Sequence, residues 1–181
     1  PTRYNSDDTK NIAKLAAKEM RVTFVEESIE DAFNLELAVQ EKLKGEALSS
    51  LAKQNIQPRI RGMRMWNWTS EAKALFLHTG NMSENAVGYT TIGGDMEGGY
   101  SLIGNLPKSV ILRLLKHLHS SGYEFESLQK LLETQASAEL EPNQEDEKDL
   151  MPFDVLDTLL DLLIGEKKGP YDMYVSVRSK Y

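Results

Sequence analysis

Two stretches of this sequence combine residue types that could handle a phosphorylated ligand. The first, Thr79-Gly80-Asn81-Met82-Ser83-Glu84, follows the apolar run 74–78, which is short enough for a buried parallel strand. Ligands of open α/β sheets bind beyond the carboxyl ends of strands. A hydroxyl and turn amides at that place could hold a nucleotide, and Glu84 offers a hard oxygen ligand for a magnesium ion. The plainer reading is a strand-to-helix turn with Ser83 as N-cap. The second stretch holds Asn55, Arg59, Arg61 and Arg64, the densest positive cluster in an acidic chain. Asn55 and Arg59 stand one helical turn apart, so an amide and a guanidinium could jointly grip a carboxylate or phosphate. Surface ion pairs with glutamates explain the cluster nearly as well.

Several further features carry weaker signals. Lys108 sits in the first turn of an expected helix, where a cation opposes the macrodipole and an anionic neighbour would relieve it. Residues 88–100 contain five glycines but neither common phosphate-loop pattern, which leaves an irregular loop whose backbone could approach a ligand. Met63, Met65, Trp66 and Trp68 suit a core or a subunit interface better than a base-stacking surface. His78 is assigned a structural role, and His117 and His119 lack the spacing of a shared metal site.

The elements that must position these groups alternate between helices and short apolar runs. Residues 8–20 predict an amphipathic helix capped by Ser6, and 21–25 a short strand. A helix over 29–44 stops at Gly45, and a third runs from Ser49 or Asn55 toward Ala72, with Pro58 admissible only in its first turn or at a kink. Asn105 and Pro107 start a helix that ends by Gly122; 125–133 and 154–164 predict two more. Segment 139–149 holds six acids against Lys148 alone, a solvated loop by composition. Residues 166–181 show no core pattern, so the division expected is 1–165 as a domain and 166–181 as an extension.

Composition narrows the function classes. With 181 residues, the chain is long enough to bury a sizeable core. Its net charge of −7 argues against a general nucleic-acid binder. The absence of Cys excludes disulfide scaffolds, thiolate metal sites and cysteine nucleophiles. No apolar run approaches the ~20 residues of a membrane helix, the mean hydropathy is −0.44, and the polar opening does not resemble a signal peptide, so a cytoplasmic location is expected.

Taken in order, several phrases resemble the synthetase domain of the NAD synthetase family, particularly its glutamine-dependent branch. They are Asn55-Ile-Gln-Pro-Arg-Ile-Arg-Gly62, Leu77-His-Thr-Gly-Asn-Met-Ser-Glu84, Gly88-Tyr-Thr-Thr-Ile-Gly-Gly-Asp95, Lys108 after Gly104-Asn-Leu-Pro, Ala136-Ser-Ala-Glu-Leu-Glu-Pro-Asn-Gln-Glu-Asp-Glu147, and Pro152-Phe-Asp-Val-Leu-Asp157. The opening Pro1-Thr-Arg-Tyr-Asn-Ser6 fits the same family. Each phrase is weak alone; the ordered set is specific.

The resemblance implies an α/β fold of the adenine-nucleotide alpha-hydrolase-like, ATP-pyrophosphatase type, a three-layer sandwich around a parallel sheet. In this family the nicotinate carboxylate of deamido-NAD attacks the α-phosphate of ATP, pyrophosphate leaves with Mg2+, and ammonia displaces AMP to give the amide. Carried over, Asn55, Arg59 and Glu84 are expected to contact deamido-NAD, Thr79, Lys108 and Ser137 to contact ATP, and Glu84 to hold magnesium. Segment 139–149 gains a second reading as a lid that excludes water from a hydrolysable adenylate. Ile92 departs from the family where some members have a substrate-contacting lysine. The Ser-Gly-Gly-x-Asp-Ser pyrophosphate loop, the cysteine-dependent glutaminase domain that supplies ammonia and the basic C-terminal segment are absent from the 181 residues, so these alone are expected to be catalytically inactive. The competing readings are another amidating nucleotide synthetase of the same fold and a non-catalytic dimerisation module. The resemblance implies a homodimer or higher oligomer, whether the chain is catalytic or a dimerisation module.

Overall fold

The computed structural model describes residues 1–178 and Lys180. Helix α1 (Asp7–Glu19) begins where Ser6 Oγ accepts the Thr9 amide, with Asp7 and Asp8 at its positive end. Helix α2 (Glu30–Lys44) closes on Gly45, whose φ of 80° is the left-handed conformation that glycine adopts without strain. Helix α3 (Ser50–Ala72) is the long element of the fold, capped by Ser49. It continues through Pro58, which stands in the interior of the helix and not in its first turn.

Residues 21–25 form no strand. A strand is stabilised by a partner ladder, and none of the described residues offers one; Val22 and Val25 are exposed instead. The sheet is correspondingly small. Strand β1 (Leu77–His78) pairs in parallel with β2 (Tyr100–Ser101), Leu77 opposite Tyr100 and His78 opposite Ser101. Between them lie α4 (Met82–Val87) and the glycine loop. Helices α5 (Lys108–Ser120), α6 (Glu126–Glu133), α7 (Asp146–Asp149) and α8 (Phe153–Leu160) follow, and α8 continues as a π turn over Asp161–Gly165. Beyond it, α9 (Pro170–Val177) packs on α8 and the π turn and buries no residue, in keeping with a segment that has no core pattern.

Two apolar clusters bracket the middle of the molecule. Ile29 and Phe33 of the α2 region pack on Ile56 and Ile60 of α3, with Tyr4 edge-on to Phe33 at 6.4 Å. Phe153, Leu156 and Leu160 of α8 close over Ala136, Leu150 and Met151. Gln57, fully buried, joins distant segments: its Oε1 accepts from Thr2 Oγ1 at 2.9 Å and its Nε2 donates to the Leu140 carbonyl at 2.8 Å. The glycine loop approaches α3 very closely, since a Cβ on Gly94 would lie 2.7 Å from Pro58 Cβ. The loop backbone is thereby held directly against a helix of the same chain.

The acidic segment is anchored rather than simply solvated. Glu139 accepts from Asn5 Nδ2 at 3.0 Å and from Thr9 Oγ1 at 2.9 Å, and Glu141 accepts from Ser50 Oγ. Asp146 is buried, 4% exposed.

Candidate functional site

A cavity of about 630 Å³ opens beyond the carboxyl end of β1, between α3, α4, α5 and the 134–146 segment. Its volume is in the range of small-molecule sites. Thr79 at the end of β1, Glu84, Lys108 and Ser137 all line it, so four of the six residues singled out from the sequence meet at one place.

Local folding fixes their positions. The N-cap of α4 is Asn81 rather than Ser83: Asn81 Oδ1 accepts the Glu84 amide at 3.1 Å, and Glu84 Oε2 accepts the Asn81 amide at 3.3 Å. That reciprocal capping box holds the Glu84 side chain at the start of its helix. Its other oxygen, Oε1, meets Lys108 Nζ at 2.9 Å, with both side chains about four-fifths buried. The Lys108 ammonium also lies 5.4 Å from the Phe153 ring centroid. Glu84 is thus an anionic neighbour of the kind that Lys108 needs at its helix position. Ser137 is held in its own turn, donating to the Gln144 carbonyl at 2.6 Å and accepting the Glu139 amide at 3.1 Å.

Asn55 and Arg59, on α3, are not among the cavity's lining and face the glycine loop. Asn55 Oδ1 accepts from Thr91 Oγ1 at 2.8 Å, and Arg59 Nε donates to the Ile92 carbonyl at 3.1 Å. Both side chains thus hold the glycine loop against α3. Arg61 faces the cavity instead. Burial pulls its guanidinium below the usual arginine range, against the attraction of Asp95 and Glu139, and its side-chain hydrogen bond is a long one of 3.4 Å to Asn5. The structure also splits the Met-Trp cluster. Met65 lines the cavity, whereas Trp66 packs edge-on to Phe76 and donates to Glu97 at 2.8 Å; Met63 and Trp68 remain exposed. His78 bonds Ser101 across the sheet at 3.0 Å, in keeping with a structural role.

Two cavity residues were missed by sequence reasoning. Asp146 is held above its ordinary carboxyl range by burial, with Lys108 opposing that shift and Glu84 adding to it. Tyr89 donates to Asp149 at 2.8 Å, and burial pushes its phenol up further than those acceptors alone would. Neither has a local signal, because both depend on the 146–149 turn meeting Tyr89, nearly 60 residues earlier in the chain.

A parallel strand that ends in a capped turn, with a ligand-sized cavity beyond it lined by a lysine and a half-buried arginine, defines an α/β protein of the crevice-binding kind. Residues 1–179 match the family model described as NAD synthase, and the chain belongs to that family. It is 32% identical over 173 residues to the glutamine-dependent NAD(+) synthetase of Aquifex aeolicus, covering 96% of this chain and 30% of that protein. The structure superposes on a glutamine-dependent NAD(+) synthetase from Cytophaga hutchinsonii with a TM-score of 0.84 at 27% identity, over 99% of this chain and 29% of that one. A glutamine-dependent NAD+ synthetase from Acinetobacter baumannii, solved in complex with adenosine diphosphate, matches with a TM-score of 0.70 at 27% identity, over 97% of this chain and 31% of that one. The chain therefore spans about a third of the length of the relatives it matches. The ATP-pyrophosphatase type of fold expected from the sequence is the fold of these neighbours, represented here by helices around a two-stranded parallel sheet.

Proposed function

We propose that this chain forms part of the site in which deamido-NAD is amidated to NAD, through an adenylate made from ATP, with ammonia derived from glutamine. The observation that carries the reading is the convergence of Thr79, Glu84, Lys108 and Arg61 on one cavity at the carboxyl end of β1. Family membership and the ADP held by the Acinetobacter relative support an adenine nucleotide as the ligand.

In this reading, attack by the nicotinate carboxylate on the α-phosphate releases pyrophosphate, and ammonia then displaces AMP. Lys108, and with it Arg61, offsets the charge that accumulates on the phosphate oxygens, an effect that strengthens where water is excluded. Thr79 and Ser137 offer hydroxyls to the nucleotide, and Asn55 and Arg59 act on the dinucleotide substrate beside the glycine loop. A lid role for 139–149 is compatible with its contacts to α1 and α3.

Magnesium fits the donor set in one way. No group of three His, Asp or Glu suited to a metal occurs among the described residues, so a self-contained cage is not formed. Magnesium keeps several waters and binds through one or two carboxylates plus substrate phosphates, and Glu84 can supply such a carboxylate once Lys108 turns to the phosphates. The ion would supply charge neutralisation for the leaving pyrophosphate.

Pairing of two chains is part of the proposal, supported by exposed Leu35, Val39 and Leu43 on α2 and by Met63 and Trp68 on α3. No helix of the described residues is long and apolar enough to cross a membrane, and we place the reaction in the cytoplasm. The experiment is to supply ATP, magnesium, deamido-NAD and ammonia to the 181-residue chain while measuring ligand binding and NAD. Saturable binding of both nucleotides is expected; absence of binding of either one contradicts the proposal.

A further inference from the structure

Lys108 opens α5, but Pro107 before it supplies no capping oxygen, so the first amides of this helix need acceptors from elsewhere. They find them on two other helices. The Lys108 amide donates to Ser83 Oγ of α4 at 2.8 Å, and the Ser109 amide donates to Asp157 Oδ2 of α8 at 2.8 Å. Ser83 passes its own hydroxyl proton into a hydrogen bond with Asp157 Oδ1. Ser83 is completely buried and Ser109 is 6% exposed. One carboxylate thus uses both oxygens to tie α4, α5 and α8 at a single point, and it places negative charge at the helix end that favours it.

We propose that Asp157 is a positioning residue for Lys108: by capping α5 from α8, it fixes the turn from which the lysine reaches the cavity, so that the grip on a phosphate depends on α8. A lysine stem has four rotatable carbons, and where its ammonium sits depends on how firmly the backbone beneath it is held. Helix α8 bears on Lys108 in two ways: Asp157 holds the adjoining Ser109 amide and the Ser83 hydroxyl that caps the Lys108 amide, and the Phe153 ring lies beside the ammonium. The Pro152-Phe-Asp-Val-Leu-Asp157 phrase therefore has a physical reason to carry both Phe153 and Asp157 four residues apart on one helix face. The inference rests on the phosphate reading of the cavity.

The test is a double-mutant cycle read by ATP binding. Asp157→Asn is isosteric but turns one of the two acceptors into a donor, and Lys108→Met removes the charge. Asp157→Asn is expected to weaken ATP binding about tenfold, equivalent to 1.4 kcal/mol, and to change it by less than about twofold when Lys108 is already Met. Equal weakening in both backgrounds, the mark of a merely structural role, overturns the proposal, as does no weakening in the native background. A ligand-free readout separates this inference from the nucleotide reading. In Asp157→Ala the Lys108 and Ser109 amides should exchange with solvent at least about tenfold faster while the Phe33 amide is unchanged; unaltered Lys108 and Ser109 amides overturn the positioning role. Absence of ATP binding by the native chain overturns the nucleotide reading, and with it any dependence of phosphate grip on Asp157.

Discussion

Replacing Glu84 by Gln separates two roles that one carboxylate plays. Its Oε2 completes the α4 capping box, a role that the Gln carbonyl retains, while its Oε1 pairs with Lys108 at 2.9 Å, a role that Gln loses. At about 3 Å and an effective dielectric of about 20, two unit charges attract by roughly 5–6 kcal/mol. Dehydrating both ends offsets most of that gain, because each side chain is about four-fifths buried. A net loss of about 1–2 kcal/mol is expected for Glu84→Gln, which lowers Tm by roughly 2–8 °C in a chain of this length. Glu84→Ala also removes the capping acceptor and should lose about a further 0.5–1 kcal/mol. The functional consequence has the opposite sign without metal. Lys108 is then free for phosphate, so Glu84→Gln should bind metal-free ATP about threefold to tenfold more tightly, while magnesium no longer improves binding as it does in the native chain. Thermal unfolding by circular dichroism and calorimetric titration of ATP with and without magnesium measure both effects. An unchanged Tm together with an unchanged magnesium dependence refutes the reasoning that Glu84 both restrains Lys108 and meets the ion.

Gly94→Ala should destabilise the chain by about 1–3 kcal/mol in chemical denaturation, because its Cβ would stand 2.7 Å from Pro58 Cβ and 2.9 Å from the Pro58 carbonyl carbon in the middle of α3. The same change should loosen the Asn55 and Arg59 contacts to the loop and so weaken deamido-NAD binding. Asp146→Asn provides the pH test. Because burial raises the native carboxyl above its unfolded value, the native state holds more protons and native stability falls as pH rises through that range. The Asn variant should therefore unfold at a higher temperature than the native chain at pH 7, with the difference closing as pH approaches the unfolded carboxyl value near 4.

The parts of the fold legible in the sequence were those set by local chemistry. Ser6 and Ser49 cap helices, Gly45 stops one, and the apolar spacing of 110–118 defines α5; each depends on residues within a turn or two. The strand expected over 21–25 failed because β-branched residues permit a strand and only a neighbouring strand makes one. Asn81 displaced Ser83 as the cap of α4 because the serine hydroxyl was required 74 residues away, by Asp157. The candidate site follows the same rule. Thr79, Glu84 and Lys108 were recognisable because a strand end, a turn and a helix start position them, whereas Arg61 and Asp146 acquire their character from burial between distant segments. Gln57 had no signal at all, since its partners are Thr2 and Leu140.

The central claim is that the cavity beyond β1 holds an adenine nucleotide by its phosphates. Calorimetric titration of the native chain and of Lys108→Met with magnesium and ATP measures this most directly. Saturable binding by the native chain, weakened at least about tenfold in a Lys108→Met variant with native-like circular dichroism, is the result expected for a lost charge-assisted contact. Equal affinity in the two proteins, or no saturable binding by the native chain at millimolar ATP, would contradict the account.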